Sequence, residues 1–268
     1  MDTLKPFIVR DLTIEDYHSP DCEYVSSTFL RTLQSKSPAH AVAEKQAEKK
    51  PKKKCFEIGT LIHTLILEPH TFESRYGIFD GDFRTKEAKE LKVDFENRNI
   101  TVIKTADYEN ALACAEAMKS FHFYDMIFGS GEPEVSLFAE FGGVKLKARP
   151  DWLQESTGRM FDLKTTDNAH PDAFTKSVGN YGYHIQACLA MRLYEACYGI
   201  PCDDYLWVVT EKDPPYAITL NKMSPEMRLN GELKLNLAIE KYQKCLKTGI
   251  FEAYSPSINV LELSPWNL

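Results

Sequence analysis

The sequence predicts a mixed α/β protein, with a helical N-terminal part followed by a central mixed sheet flanked by helices. Three observations point there. Helical patterns fall at Phe29–Leu33, Ile58–Ile66 and Tyr108–Lys119, two alternating segments flank Gly142-Gly143, and an apolar strand pattern follows two further helical segments. The composition suits this class: 43% hydrophobic and 26% charged residues in 268 exclude a disordered, fibrous or low-complexity chain.

Ser26 or Ser27 is placed to cap a helix through Phe29, Leu30 and Leu33. Pro38, after a serine, opens another helical turn. Residues 44–54, EKQAEKKPKKK, are a charge run broken by Pro51; such a run reads as a solvated loop or as a basic arm that touches phosphate. From Phe56 to Glu68, Ile58, Leu61, Ile62, Leu65 and Ile66 form one apolar stripe, which Pro69 stops. His63 falls at the border of that stripe, one turn after Gly59. A histidine there is ordinarily packed and hydrogen-bonded, and the same position suits a metal ligand; spacing leaves both open.

Residues 70–105 are mixed and polar, and Tyr108 to Lys119 is helical. Pro133 to Phe141 and Val144 to Asp151 alternate in strand fashion about the Gly142-Gly143 turn. A turn near Ser156-Thr157 leads to a third strand at 159–165. Helical segments at 171–178 and 183–198, a strand at 205–210, a hairpin near Pro214-Pro215, a strand at 216–220 and an amphipathic helix at 224–247 complete the order. The expected organisation is a single domain over 1–268: a mainly helical part to 130, the sheet and helix carrying the chemistry over 131–221, and a C-terminal helix and tail over 222–268.

The net charge of −7 argues against general coating of nucleic acid and leaves room for a local basic channel. No apolar run approaches the roughly 20 residues that span a bilayer. The start, MDTLKPFIVRDLT, lacks a basic-then-apolar signal, and seven cysteines without CxxC spacing read as reduced thiols. A cytoplasmic protein is the expectation.

Register arithmetic carries the chemical argument. A turn at Gly142-Gly143 pairs residues whose numbers sum to 285, which sets Glu134 opposite Asp151. A turn at Ser156-Thr157 pairs numbers that sum to 313, which sets Asp151 opposite Asp162. Three carboxylates from three strands then form a row, with Lys164 on the same face. Adjacent carboxylates repel, and a divalent cation removes that cost. Hard oxygen donors suit Mg²⁺, or Mn²⁺ in its place, as one or two ions per site. The plainer alternative is a surface hairpin whose acids pair with Lys145, Lys147 and Arg149.

Pro150-Asp151, ten residues, then Asp162-Leu163-Lys164 resembles the PD-(D/E)xK nuclease signature. The longer strings EIGTLIHTLILEPHTFESRY, LKARPDWL, FDLKTTDNAHPDAF and YGYHIQACLAMRLY, with YHSPDCEYVSSTFLRTL and KSPAHA upstream, resemble the RecE-type exonucleases of phages and prophages, in the RecB-like branch of that superfamily. The resemblance runs from about Tyr17 to Ile250 and is weakest between Arg84 and Glu132. It implies a PD-(D/E)xK core and a Mg²⁺-dependent exonuclease that digests linear double-stranded DNA from 5′ ends, leaving a 3′ strand for single-strand-annealing recombination. It implies His63, Asp151, Asp162 and the Leu163 carbonyl as metal ligands, Lys164 as the catalytic lysine, Glu134 as an acidic position before the hairpin, and Gln186 as the glutamine of the downstream helix. That helix often reads QxxxY; here Ala190 stands four residues after Gln186, and Tyr183 or Tyr194 is expected to fill the space.

The resemblance further implies a homo-oligomeric ring, a trimer or tetramer, around DNA, with an annealing protein as partner. Lys50, Lys52, Lys53, Lys54, Arg84, Lys86 and Lys147 are then candidates for phosphate contact, and Tyr183 joins them. Ser26, Ser27 and Arg31, at the first helix terminus, are candidates for holding a 5′-phosphate, although a simple cap is the ordinary role of such residues. Competing readings are an endonuclease of the same superfamily and a non-catalytic DNA-end-binding recombination subunit. An iron–sulfur nuclease is set aside, because Cys188, Cys197 and Cys202 are too widely spaced for a compact trio.

Overall fold

A computed structural model describes residues 5–47, 54–81, 84–258 and 260–261. The elements run β1 (Phe7–Val9), α1 (Ile14–Tyr17), α2 (Ser27–Ser35), α3 (Pro38–Gln46), α4 (Lys54–Leu67), α5 (Phe72–Arg75), β2 (Tyr76–Phe79), α6 (Lys86–Asn97), β3 (Thr101–Lys104), α7 (Thr105–Lys119) and α8 (Tyr124–Phe128). They continue β4 (Glu132–Pro133), β5 (Ser136–Phe141), β6 (Val144–Ala148), β7 (Trp152–Gln154), β8 (Arg159–Thr166), α9 (Pro171–Tyr181), α10 (Tyr183–Tyr198), β9 (Asp204–Glu211), β10 (Ile218–Lys222) and α11 (Pro225–Thr248). The class is the mixed α/β one expected, with helices on both faces of a mixed sheet.

The five-stranded sheet has the order β10-β9-β8-β7-β4. Its β8 and β9 run parallel, with Asp162 beside Trp207, and α9 and α10 form the crossover that a parallel pair requires. A second sheet, β1-β5-β6, and a small parallel pair, β2-β3, complete the β structure. The pair β2-β3 and helix α6 lie in the polar stretch 70–105, where short strands leave no clear alternation.

Both registers follow the turn arithmetic. Phe141 pairs with Val144 and Leu137 with Ala148 across the glycine turn, and Pro133 with Trp152 beyond it. Trp152 pairs with Phe161 and Gln154 with Arg159 across the second turn. The strands themselves are not continuous. The expected strand 133–141 breaks at Glu134, whose φ is +54°, and the expected strand 144–151 breaks before β7, where Pro150 has no N–H for a ladder. The hairpin therefore passes from one sheet into the other, and the Glu134–Asp151 step sits at the break.

Alternation along β8 sorts the core. Met160 belongs to the larger cluster with Trp207, Tyr205 and the buried face of α10, while Phe161 and Leu163 pack on the other side against Val208, Met118 and Ile127. Burial of each large side chain contributes roughly 2–3 kcal/mol. Helix α11 lies against α10 at Gly231, where a Cβ would stand 2.7 Å from Cys188 Sγ and 2.8 Å from the His184 carbonyl oxygen. Among the described residues six cysteines are free thiols, and no helix is long and apolar enough to cross a membrane.

Candidate active site

The break between the two sheets gathers the acidic residues. Glu134 N–H donates to the Asp151 carbonyl at 3.1 Å, so the two face each other as the register requires. Asp151 has no strand partner of its own on β8. Its carboxylate instead accepts the Leu163 N–H at 2.7 Å, continuing the β7-β8 ladder with a side chain. The Leu163 carbonyl lies on the same edge of β8 as that N–H. Asp162, next along β8, is 1% exposed.

Helix α4 supplies the third wall. A Cβ at Gly59 would stand 3.0 Å from Thr165 Oγ1 on β8, so glycine lets the helix close on the strand. One turn later His63 Nδ1 comes within 3.7 Å of Asp151 Oδ2. From the opposite side α10 brings Gln186, whose Nε2 donates to Asp162 Oδ1 at 3.0 Å. Lys164 is two residues beyond Asp162 on the same face, and its ammonium pairs with Asp162 Oδ2. The Tyr183 ring lies 4.9 Å from that ammonium. His63, Asp151, Asp162, Leu163, Lys164, Gln186 and Tyr183 thus converge.

Glu134 stands slightly apart. Arg149 Nη1 is 3.9 Å from its Oε2, and the same guanidinium donates to Ser136 Oγ at 2.7 Å and to the Leu12 carbonyl at 3.0 Å. Of the three cations that the surface-hairpin alternative paired with these acids, Arg149 is the one that meets Glu134. Asp162 keeps company with Lys164, so one acid–base pair forms on each side of Asp151.

Electrostatics follow from burial and crowding. Burial, then the charge of Asp151, pushes Glu134 up to about 8, against the pull of Arg149. Burial and Asp162 push Asp151 up, offset by His63, Lys164 and the Leu163 N–H. Burial lowers Lys164, but Asp162 and Asp151 outweigh it and hold the ammonium above its ordinary value. The phenol of Tyr205, buried on β9 beside Asp162, is raised well above the ordinary range by burial and then by Asp162 and Asp151, so it keeps its proton.

The donor set suits a hard divalent cation: two mutually repelling carboxylates, a strand carbonyl and an imidazole. Asp162 Oδ2 is buried and makes no hydrogen bond; its contact is the ion pair with Lys164 alone. Among the described residues, no three His, Cys, Asp or Glu side chains already stand as a metal cage. Lys164 and Arg149 supply the positive charge instead.

The phosphate candidates divide. Arg31 is the candidate whose charge is felt at the site: its guanidinium donates to the Tyr181 carbonyl and to Thr28 Oγ1 at 3.1 Å, its Nε is buried without a hydrogen bond, and the charges of Tyr183 and Asp162 act on it. Ser26 is the α2 N-cap without a side-chain cap bond, and Ser27 is buried. Lys147 does not serve. It is 5% exposed, its ammonium donates to the Tyr17 carbonyl and to Cys22 Sγ at 3.3 Å, and it lies over the Tyr17 ring. The alternation that put it on the face of Asp151 ends at the break, so its cation is enclosed by α1. Arg84 is exposed. Lys86 is 3.8 Å from Glu90. Lys50, Lys52 and Lys53 lie outside the described residues. Tyr194 is turned away from the carboxylates, with its hydroxyl donating to the Glu155 carbonyl at 2.8 Å. Tyr205 was hidden in an apolar strand pattern that packing alone explains.

A protein from Eubacterium rectale described provisionally as an exonuclease superposes with a TM-score of 0.65 at 15% identity, over 96% of each chain, which is a likeness of fold. A phage-related exonuclease from Haemophilus somnus 129PT gives 0.35 at 12% identity, over 85% of this chain and 96% of that one. Among curated proteins none matches the chain. A family described as the PDDEXK-like domain of unknown function (DUF3799) matches residues 26–263, most of the chain and all of the residues gathered at the sheet break, and the protein belongs to that family.

Proposed function

We propose that the protein is a Mg²⁺-dependent 5′-to-3′ exonuclease on linear double-stranded DNA, leaving a 3′ single strand for annealing. The observation that carries this reading is the meeting of Asp151 and Asp162 at the sheet break, touched by His63, Lys164 and Gln186. His63, Asp151, Asp162 and the Leu163 carbonyl would hold the cation, which supplies Lewis-acid stabilisation of a phosphoryl oxygen.

The chain's own residues have definable tasks. Gln186 holds Asp162 by Oδ1, and the Leu163 N–H holds Asp151, so neither carboxylate turns away from the site. The Lys164 side chain is 20% exposed and its ammonium lies beside Tyr183, where it orients a water for in-line attack on phosphorus and offsets charge as the P–O bond breaks. Arg31, whose charge interacts with Tyr183 and Asp162, suits an end phosphate of the strand. Phosphate contacts carry no sequence information, so little sequence preference is expected. A homo-oligomeric ring, a trimer or tetramer, would keep the enzyme on its track, and an annealing protein would take the product strand; a cytoplasmic setting belongs to this reading.

The test is digestion of end-labelled linear duplex with Mg²⁺, comparing 5′-phosphate with 5′-hydroxyl ends and linear with circular DNA. Asp162→Ala and Lys164→Ala should each lower the rate about 100-fold or more. Undiminished digestion by either variant removes this active site. Cleavage of closed circles would make the protein an endonuclease, and end binding without cleavage would make it a clamp. Sedimentation of the purified protein reads the ring.

A further inference from the structure

One buried hydroxyl beside the carboxylates has no role in the reading above. Tyr205 lies on β9 and is 1% exposed. In the parallel β8-β9 register Met160 stands beside Tyr205 and Asp162 beside Trp207, so Tyr205 and Asp162 share one face of the sheet. The Tyr205 hydroxyl is near enough to Asp162 for that carboxylate to act on it. It falls short of hydrogen-bond geometry, and both the Tyr205 hydroxyl and Asp162 Oδ2 are buried without a hydrogen bond.

The Tyr205 hydroxyl thus has no partner, and Asp162 Oδ2 meets only the Lys164 ammonium. Buried polar groups are paired in the great majority of cases. A phenol donates and an ionised carboxylate only accepts, so the two are complementary. The other oxygen, Oδ1, already takes Gln186 Nε2 at 3.0 Å. Packing requires only the ring, and phenylalanine would fill the same space.

We propose that the Tyr205 hydroxyl donates to Asp162 Oδ2 and is a positioning residue for that carboxylate. Gln186 and Tyr205 then grip the two oxygens from α10 and β9, fixing the plane of the carboxylate. Lys164 is relieved of being the sole partner of Oδ2 and keeps its ammonium beside Tyr183. The catalytic meaning of this inference rests on the nuclease reading; the hydrogen bond itself does not.

The experiment uses the full chain with Tyr205→Phe, Asp162→Ala and the double variant, and measures urea unfolding in chelator and Mn²⁺ binding by calorimetry without DNA. A hydrogen bond to a charged group predicts that Tyr205→Phe lowers the folding equilibrium constant about 10-fold or more, and that this loss vanishes in the Asp162→Ala background. Second-sphere positioning predicts Mn²⁺ affinity about 10-fold weaker in the Tyr205→Phe variant. Equal losses in both backgrounds overturn the hydrogen bond. Coupled stability with unchanged Mn²⁺ affinity overturns the positioning role, leaving a purely structural contact. A native protein that binds no Mn²⁺ and cuts no DNA, with the coupling present, sinks the nuclease reading and the positioning role while the bond stands.

Discussion

Replacing Glu134 by glutamine probes how the crowded carboxylates are held. Burial and Asp151 raise Glu134 from an ordinary 4.5 to about 8. At about 1.4 kcal/mol per unit, the penalty for ionising it is bounded near 5 kcal/mol. Its side chain is 28% exposed and Arg149 is 3.9 Å away, so relaxation and water reduce this to about 2–4 kcal/mol. The sign is definite. Between pH 4.5 and 8 the folded protein binds a proton that the unfolded chain has released, so stability falls as pH rises through that window. Below it the contribution of Glu134 is nil, and above it the penalty is complete. Glutamine stays neutral throughout. In metal-free protein, urea unfolding at half-unit steps from pH 5 to 9 should show the variant gaining on the native protein by about 2–4 kcal/mol. The Coulomb part of this gain is shared with Asp151, whose carboxylate is relieved when Glu134 carries no charge. Two curves with the same pH slope would refute the argument and place Glu134 in water.

Other perturbations have clear directions. Gly231→Ala sets a methyl 2.8 Å from the His184 carbonyl oxygen, and backbone cannot yield there, so a loss of about 1–3 kcal/mol in urea unfolding is expected; native stability would deny the close crossing of α11 and α10. Lys147→Met should leave the salt dependence of DNA binding unchanged, because its ammonium is enclosed by Tyr17 and Cys22; a slope smaller by about 0.9 would return it to the phosphate contacts. Gln186→Ala frees Oδ1 of Asp162 and should weaken Mn²⁺ binding or digestion about 10-fold while thermal unfolding shows a folded protein; unaltered binding and rate would make Gln186 a bystander.

The long helices were legible because burial of one face imposes a period on the sequence. Helix α10 begins and ends where the pattern 183–198 predicts, and α11 lies within a residue of 224–247. The short strands β1, β2 and β3 had no such signal, since three or four residues cannot display a period. Pairing sums of 285 and 313 also hold, because two tight turns leave the strands no other register. Lys147 misled for the converse reason: alternation assigns a face, and whether that face meets solvent depends on what packs over it.

Sequence by itself determined the class, the order of the main elements and both hairpin registers, all of which are local consequences of side-chain period and turn length. Only the tertiary structure decided that the hairpin breaks at Glu134 and Asp151 and changes sheets, that Arg149 rather than Lys147 answers Glu134, and that α4, α10 and β9 bring His63, Gln186 and Tyr205 to the two aspartates. Those contacts join residues from 15 positions apart, Glu134 and Arg149, to 88 apart, His63 and Asp151. Such pairs are chosen by how elements pack in three dimensions, and no spacing along the chain records that choice.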